Sequence, residues 1–180
     1  MHLSFNLMSI VACEVPTLSV LDRRLIEGAF FHDAYRAPLS RPQAGIVEVF
    51  FAIFGHHPKW MKAVLVLRNW LASCFGLEVP TTAEIMRPQM KARYYVGEKI
   101  GPWPIFHFSE IELIAGRNNR HLDFRLSVLK EATGVSSTAV VSTICTAHNA
   151  FGKVYLVLVI PFHKWGVQRL MSQAVARGRL

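Results

Sequence analysis

The stretch that decides the fold is RHLDFRLSVLK, residues 120–130. In it Leu122, Phe124, Leu126 and Val128 alternate with His121, Asp123, Arg125 and Ser127. A period of two held over eight residues is the pattern of a β-strand with one apolar face. The same alternation sets a His, an Asp and an Arg in one row on the second face. Alternate residues of a strand lie about 6.6–7 Å apart, within reach of long side chains. The row therefore predicts a charged pair between Asp123 and Arg125, with His121 beside it. Three roles stay open for it: a solvated surface, the polar wall of a cavity, or a general base oriented by a carboxylate.

Working outward, WPIFHFSEIELIAG (103–116) and SSTAVVSTICTAH (136–148) have the same β character, with tight connections at GRNN and EATGVS. The last two segments predict a hairpin. Lys130 would face Ser137, Arg125 Ser142, Asp123 Ile144 and His121 Thr146, which keeps Leu122, Phe124 and Leu126 opposite Cys145, Thr143 and Val141.

Upstream, RPQAGIVEVFFAIFG reads as a short helix that stops at Gly55. HPKWMKAVLVLRNWLASCFG (57–76) reads as a longer one, with Pro58 in its first turn and Gly76 at its end. Residues 79–102 form a polar connector with Pro and Gly breaks. In the tail, Val167, Leu170, Met171, Ala174 and Val175 repeat at helical spacing. The preceding run, KVYLVLVIPF, is apolar all round and β-branched, so periodicity does not choose between strand and helix. One long helix kinked at Pro161 is the reading taken here.

With 180 residues the chain has the length of one domain, set out as a tail over 1–14 and a single domain over 15–180. Hydrophobic residues make up 52%, yet no apolar run reaches the roughly 18 residues needed to span a membrane. The net charge of +8 favours anionic partners such as nucleic acid, acidic lipid or acidic ligands. The cations are scattered and match no nucleic-acid motif, so nucleic acid is not expected. Cys13, Cys74 and Cys145 are too far apart for a zinc site or a disulfide framework, which fits a reducing, cytoplasmic setting. SIVAC loosely resembles a lipoprotein cleavage box, but no Lys or Arg precedes it.

FHDAYRAPL, HPKWMKAVLVLRN, FGL, RHLDFRLSV and AHNAFGKVYLVLVIPFH resemble a bacterial family, domain of unknown function 2867, from about residue 15 to near the end. The combination of LRN, HLDFR, HN-x-x-G and PFH carries the resemblance. Similar domains follow a nucleotide-binding domain in some sugar-nucleotide-epimerase-like proteins; no such domain is present in this sequence. The resemblance implies an α+β fold of helix-grip type, in which a curved antiparallel sheet wraps a long C-terminal helix. It also implies a small apolar or amphipathic ligand held between the two. The usual strand order is kept if Phe30 to Leu39 supplies the first strand.

His121, Asp123, Arg125, His148, Tyr155 and Trp165 are the candidates for such a cavity. Asn149 is placed to cap the terminal helix. His163, next to Pro161, reads as structural, and His56 and His57 as surface residues. No HExxH spacing, Gly-rich phosphate loop or GxSxG elbow is found, so neither a metal nor another cofactor is called for. The leading function is a small-molecule binding module. The alternatives are an enzyme using the polar strand face for proton transfer, as a cyclase, isomerase or hydrolase would, and a domain acting with a dinucleotide-binding reductase. A homodimer is compatible with all three.

Overall fold

The structure, a computed structural model, describes residues 10–21, 23–56, 90, 91, 93–133 and 136–180. The helix expected over 57–76, with Trp60, Trp70 and Cys74, lies outside the described residues. Among the described residues seven strands form one antiparallel sheet: β1 (Val11–Cys13), β2 (Phe31–Pro38), β3 (Lys99–Ile100), β4 (Trp103–Phe108), β5 (Glu112–Asn118), β6 (Leu122–Thr133) and β7 (Ser136–Ala147). Their order across the sheet is β1-β2-β7-β6-β5-β4-β3. Among the described residues three helices accompany it: α1 (Arg23–Glu27), α2 (Ile46–Phe54) and α3 (Ala150–Ala176). The architecture is α+β. Among the described residues no helix is long and apolar enough to cross a membrane.

The segment around Phe30–Leu39 is a strand, but it is β2 and not the first strand, since β1 precedes it and pairs with it, and β2 pairs on its other side with β7. WPIFHFSEIELIAG divides at Ser109 into β4 and β5, because the amide of Ser109 bonds back to the Glu112 carbonyl at 2.8 Å. The β6–β7 hairpin forms with a register two residues from the expected one. Arg125 faces Ile144, Asp123 faces Thr146 and Leu126 faces Thr143. The ladder runs on to Thr133 and Ser136, so two residues join the strands where a longer connection was expected. A two-residue shift preserves the faces, because side chains alternate with a period of two.

One face meets the helices. Tyr35, Ala37, Leu113, Ala115, Leu126, Val128, Ala139 and Val141 share a core with α2 and with Val167, Leu170, Met171 and Ala174 of α3. The tail stripe is therefore buried as its spacing requires. The ambiguous apolar run before it is helical. Asn149 caps it, accepting a bond from the Gly152 amide at 3.0 Å, and a helix satisfies its own backbone where no further strand is available.

The second face, expected to be mixed, is covered as well. Ile114 and Ile144 pack with Leu21, while Ala34, Leu129 and Val140 pack with Cys13 and Val15. Beneath this cover Glu112 is 1% exposed. Its carboxylate accepts bonds from Ser19 Oγ (2.5 Å), the Val20 amide (2.8 Å) and Ser127 Oγ (2.6 Å). The N-terminal segment is thus tied to the sheet by a buried charge that has its partners.

Because Met171 is fully buried between helix and sheet, Met171→Ala should cost about 2–5 kcal/mol of unfolding free energy. Val154→Ala, on the exposed side of the same helix, should change it by about 0.5 kcal/mol or less. A chain ending at Ile160 should lose its cooperative urea transition altogether.

Candidate functional site

Two His–Asp pairs join the sheet to α3, and each unites two of the segments singled out in the sequence. HLDFR meets HN-x-x-G at the start of the helix. There His148 Nε2 lies 3.1 Å from Asp123 Oδ2, and Asp123 Oδ1 accepts from the Asn119 amide at 3.2 Å. The backbone of His148 donates to the His121 carbonyl at 2.9 Å. Arg120 Nε donates to His121 Nε2 at 2.8 Å. Its other ring nitrogen, Nδ1, lies against the Asn149 amide, 3.3 Å from Oδ1 and 3.1 Å from Nδ2. Asn149 Nδ2 also donates to the Arg120 carbonyl at 3.2 Å, and the Phe151 ring packs 4.7 Å from that of His121. A Cβ on Gly152 would stand 2.2 Å from the His121 carbonyl oxygen. The HN-x-x-G spacing therefore has a mechanical reason: Asn caps the helix, and Gly lets its first turn touch the strand entry.

Among the described residues Asp123 and Arg125 do not form the expected ion pair. Arg125 lies over the Phe106 ring, 3.7 Å from its centre, and its Nη1 donates to Asn118 Oδ1 at 2.6 Å. Stacking and an amide satisfy the guanidinium, leaving Asp123 to His148. Burial lowers the Arg125 pKa, and the charge of Asp123 acts against that shift.

FHDAYR meets PFH beneath the middle of α3. His163 Nε2 lies 3.3 Å from Asp33 Oδ1, and the two side chains are 22% and 10% exposed. Phe31 presents its ring edge-on to that of His163 at 5.7 Å. Tyr35 follows Asp33 on the same face, with Gln168 and the Asp33 carboxylate both near its hydroxyl. Burial first, and then the charge of Asp33, raises the Tyr35 pKa. Thr143 stands opposite Asp33 across the β2–β7 ladder. Asp33 Oδ2 and Thr143 Oγ1 are both buried and have no hydrogen-bond partner among the described residues. The thiol of Cys145, opposite Phe31, is pushed up to about 12 by burial and by Asp33. It is a neutral core group at physiological pH.

Of the candidates read from the sequence, His121, Asp123 and His148 come together at the helix start, and Arg125 lies one row further along the strand. Tyr155 packs near Phe31 and Ile160 with its hydroxyl buried. Trp165 is more than half exposed on the far side of the helix. Asp33 and Thr143 are not among the candidates that the sequence offers, and from the sequence His163 reads as structural. The available signal was an Asp alternating with Phe31, Tyr35 and Ala37 on a face otherwise able to enter the core. An open cleft of about 500 Å³ lies elsewhere, lined by Val47, Glu48, Lys91, Tyr94 and Phe108 among others. Among the described residues no three His, Cys, Asp or Glu side chains gather as metal ligands.

A family model described as "Protein of unknown function (DUF2867)" matches residues 25–170. No curated protein and no solved structure matches the chain.

Asn149→Ala should cost about 1 kcal/mol of stability through the lost cap, and Gly152→Ala about 1–3 kcal/mol through the clash with the His121 backbone; both are read from urea transitions. A second expectation concerns alkaline pH. A thiol kept neutral by the fold contributes fully below its unfolded value of 9.0, and that contribution is lost as pH climbs towards 12. Between pH 9 and 11 the wild-type protein should lose up to about 1.4 kcal/mol per pH unit more than Cys145→Ala does. Parallel losses in the two proteins would show that the thiol is not enclosed.

Proposed function

Since the chain belongs to the DUF2867 family, whose match takes in most of the sheet and of α3, we propose that it is a small-molecule binding module whose ligand is held between the first half of α3 and strands β2 and β7. The observation that carries this reading is the pair of buried polar atoms, Asp33 Oδ2 and Thr143 Oγ1, that lack a well-formed hydrogen bond, although the Tyr35 hydroxyl stands near the same carboxylate. A buried carboxylate oxygen without a partner is costly, and a native structure keeps one where something else supplies the bond. A ligand with a hydroxyl, amide or amine group would give Asp33 that bond, and an apolar body would lie against Phe31, Phe124 and Leu126. The first half of α3 is the less committed half: only Gly152 and Leu156 are buried there, against Val167, Leu170, Met171 and Ala174 in the second.

In this reading the sheet curves round the helix in the helix-grip manner. The helix bends at Pro161, whose ring displaces the carbonyl of Val157. Residues 15–180 act as one domain, and Tyr155 borders the ligand. Free Cys13 and Cys145 suit a reducing, cytoplasmic compartment. The Asp33–His163 contact also favours a second reading, proton transfer by an imidazole that the carboxylate orients. Turnover abolished in His163→Gln with an unchanged melt would mark that case.

The test is a titration with the hydrophobic fluorophore 1-anilinonaphthalene-8-sulfonate, displaced by dodecanol, dodecylamine or dodecanoate. The alcohol and the amine should compete better than the carboxylate, which Asp33 repels. Asp33→Ala should weaken the alcohol by about tenfold, the worth of roughly 1.4 kcal/mol. Equal competition by all three, unchanged in Asp33→Ala, would refute the site.

A further inference from the structure

Helix α3 has a second apolar side. Val154, Val157, Leu158 and Phe162 recur at three- and four-residue spacing on the face opposite Leu156, Val167 and Leu170, and all four are exposed, Leu158 by 66% and Phe162 by 71%. Single exposed apolar residues are ordinary, but a continuous stripe over more than two turns marks a surface that meets something. The charges beside it identify what. Lys153 and Lys164 lie along one border and Arg169 beyond its C-terminal end, all three exposed. Lys164 also reaches towards the Phe31 ring, its Nζ 5.5 Å from the ring centre. No Asp or Glu follows Glu131 anywhere in the sequence, while Lys153, Lys164, Arg169, Arg177 and Arg179 do.

We propose that this outer side of α3 is a docking surface for an anionic lipid bilayer, on which the helix lies in the plane of the interface. An apolar stripe with an aromatic member and basic borders is the layout of an interfacial helix: side chains enter the boundary between headgroups and acyl chains while the cations meet lipid phosphates. A second copy of the chain fits less well. Two such helices face to face would bring Lys153, Lys164 and Arg169 against their own kind, with no acidic residue on either helix to offset them. The net charge of +8 draws the whole molecule to the same surface.

The experiment is co-sedimentation of the full chain with sucrose-loaded vesicles of phosphatidylcholine, with and without phosphatidylglycerol. The protein should pellet with the mixed vesicles, bind phosphatidylcholine alone at least tenfold more weakly, and be released by 0.5 M salt. Leu158→Gln/Phe162→Gln should lose most of the binding with an unchanged melting temperature. Lys153→Gln/Lys164→Gln/Arg169→Gln should lose the preference for anionic vesicles. Failure to bind either vesicle would overturn the proposal, as would equal binding to both. A dimer in solution that Leu158→Gln/Phe162→Gln dissociates, without vesicle binding, would assign the stripe to a second copy. A marked fall in melting temperature for that variant, again without vesicle binding, would assign it to another part of this chain.

Discussion

Everything in this molecule hangs on the β6–β7 ladder, in which Leu122 to Thr133 pair without interruption with Ala147 to Ser136. It is the centre of the sheet, with β5 on one side and β2 on the other, and it alternates faces strictly. One face takes the helices and the other takes the N-terminal segment. Each side chain of the ladder's middle is therefore committed to one of two covered layers. A slip of one residue would send Leu126 and Val128 under the N-terminal cover and Ser127 into the helix core.

Covering both faces makes polar groups expensive, and the two buried carboxylates meet that cost differently. Glu112 has both oxygens occupied, by Ser19, Val20 and Ser127. It acts as a fastener: an enclosed charge is tolerated where its hydrogen bonds are complete. Asp33 holds His163 with one oxygen, while the other has no well-formed hydrogen bond, with the Tyr35 hydroxyl near the carboxylate and a Thr143 hydroxyl equally without a bond. One fold thus contains a finished polar site and an unfinished one within the same sheet. That contrast, more than the presence of a His–Asp pair, is why the ligand reading centres on Asp33. The Asp123–His148 pair sits closer to solvent, and its surroundings account for it as part of the joint between strand and helix.

Helix α3 serves three neighbours along its length. Its start is welded to β6 by Asn149 and Gly152, and its second half fills the core through Val167, Leu170, Met171 and Ala174. Between them His163 looks inward while Leu158 and Phe162 look outward. An all-apolar composition in this stretch therefore has two separate causes, one on each side of the cylinder. It also explains why a single amphipathic period cannot be read through residues 153–165.

The sequence by itself determined what depends on local periodicity. Alternation in RHLDFRLSVLK set the strand and its faces, the spacing of Val167, Leu170, Met171 and Ala174 set the buried stripe, and Gly55 and Asn149 set helix ends. These are properties of neighbouring residues and of backbone geometry, so they can be read without knowing the partner. Only the tertiary structure decided who meets whom. It shifted the hairpin by two residues, because the length of the connection and not the face pattern chooses among registers of equal parity. It gave Asp123 to His148 and Arg125 to Phe106, because those partners arrive from β7 and β4. It also brought Asp33 to His163, 130 residues away in the chain, which no local pattern can encode, since the contact exists only once the terminal helix has folded back across the sheet.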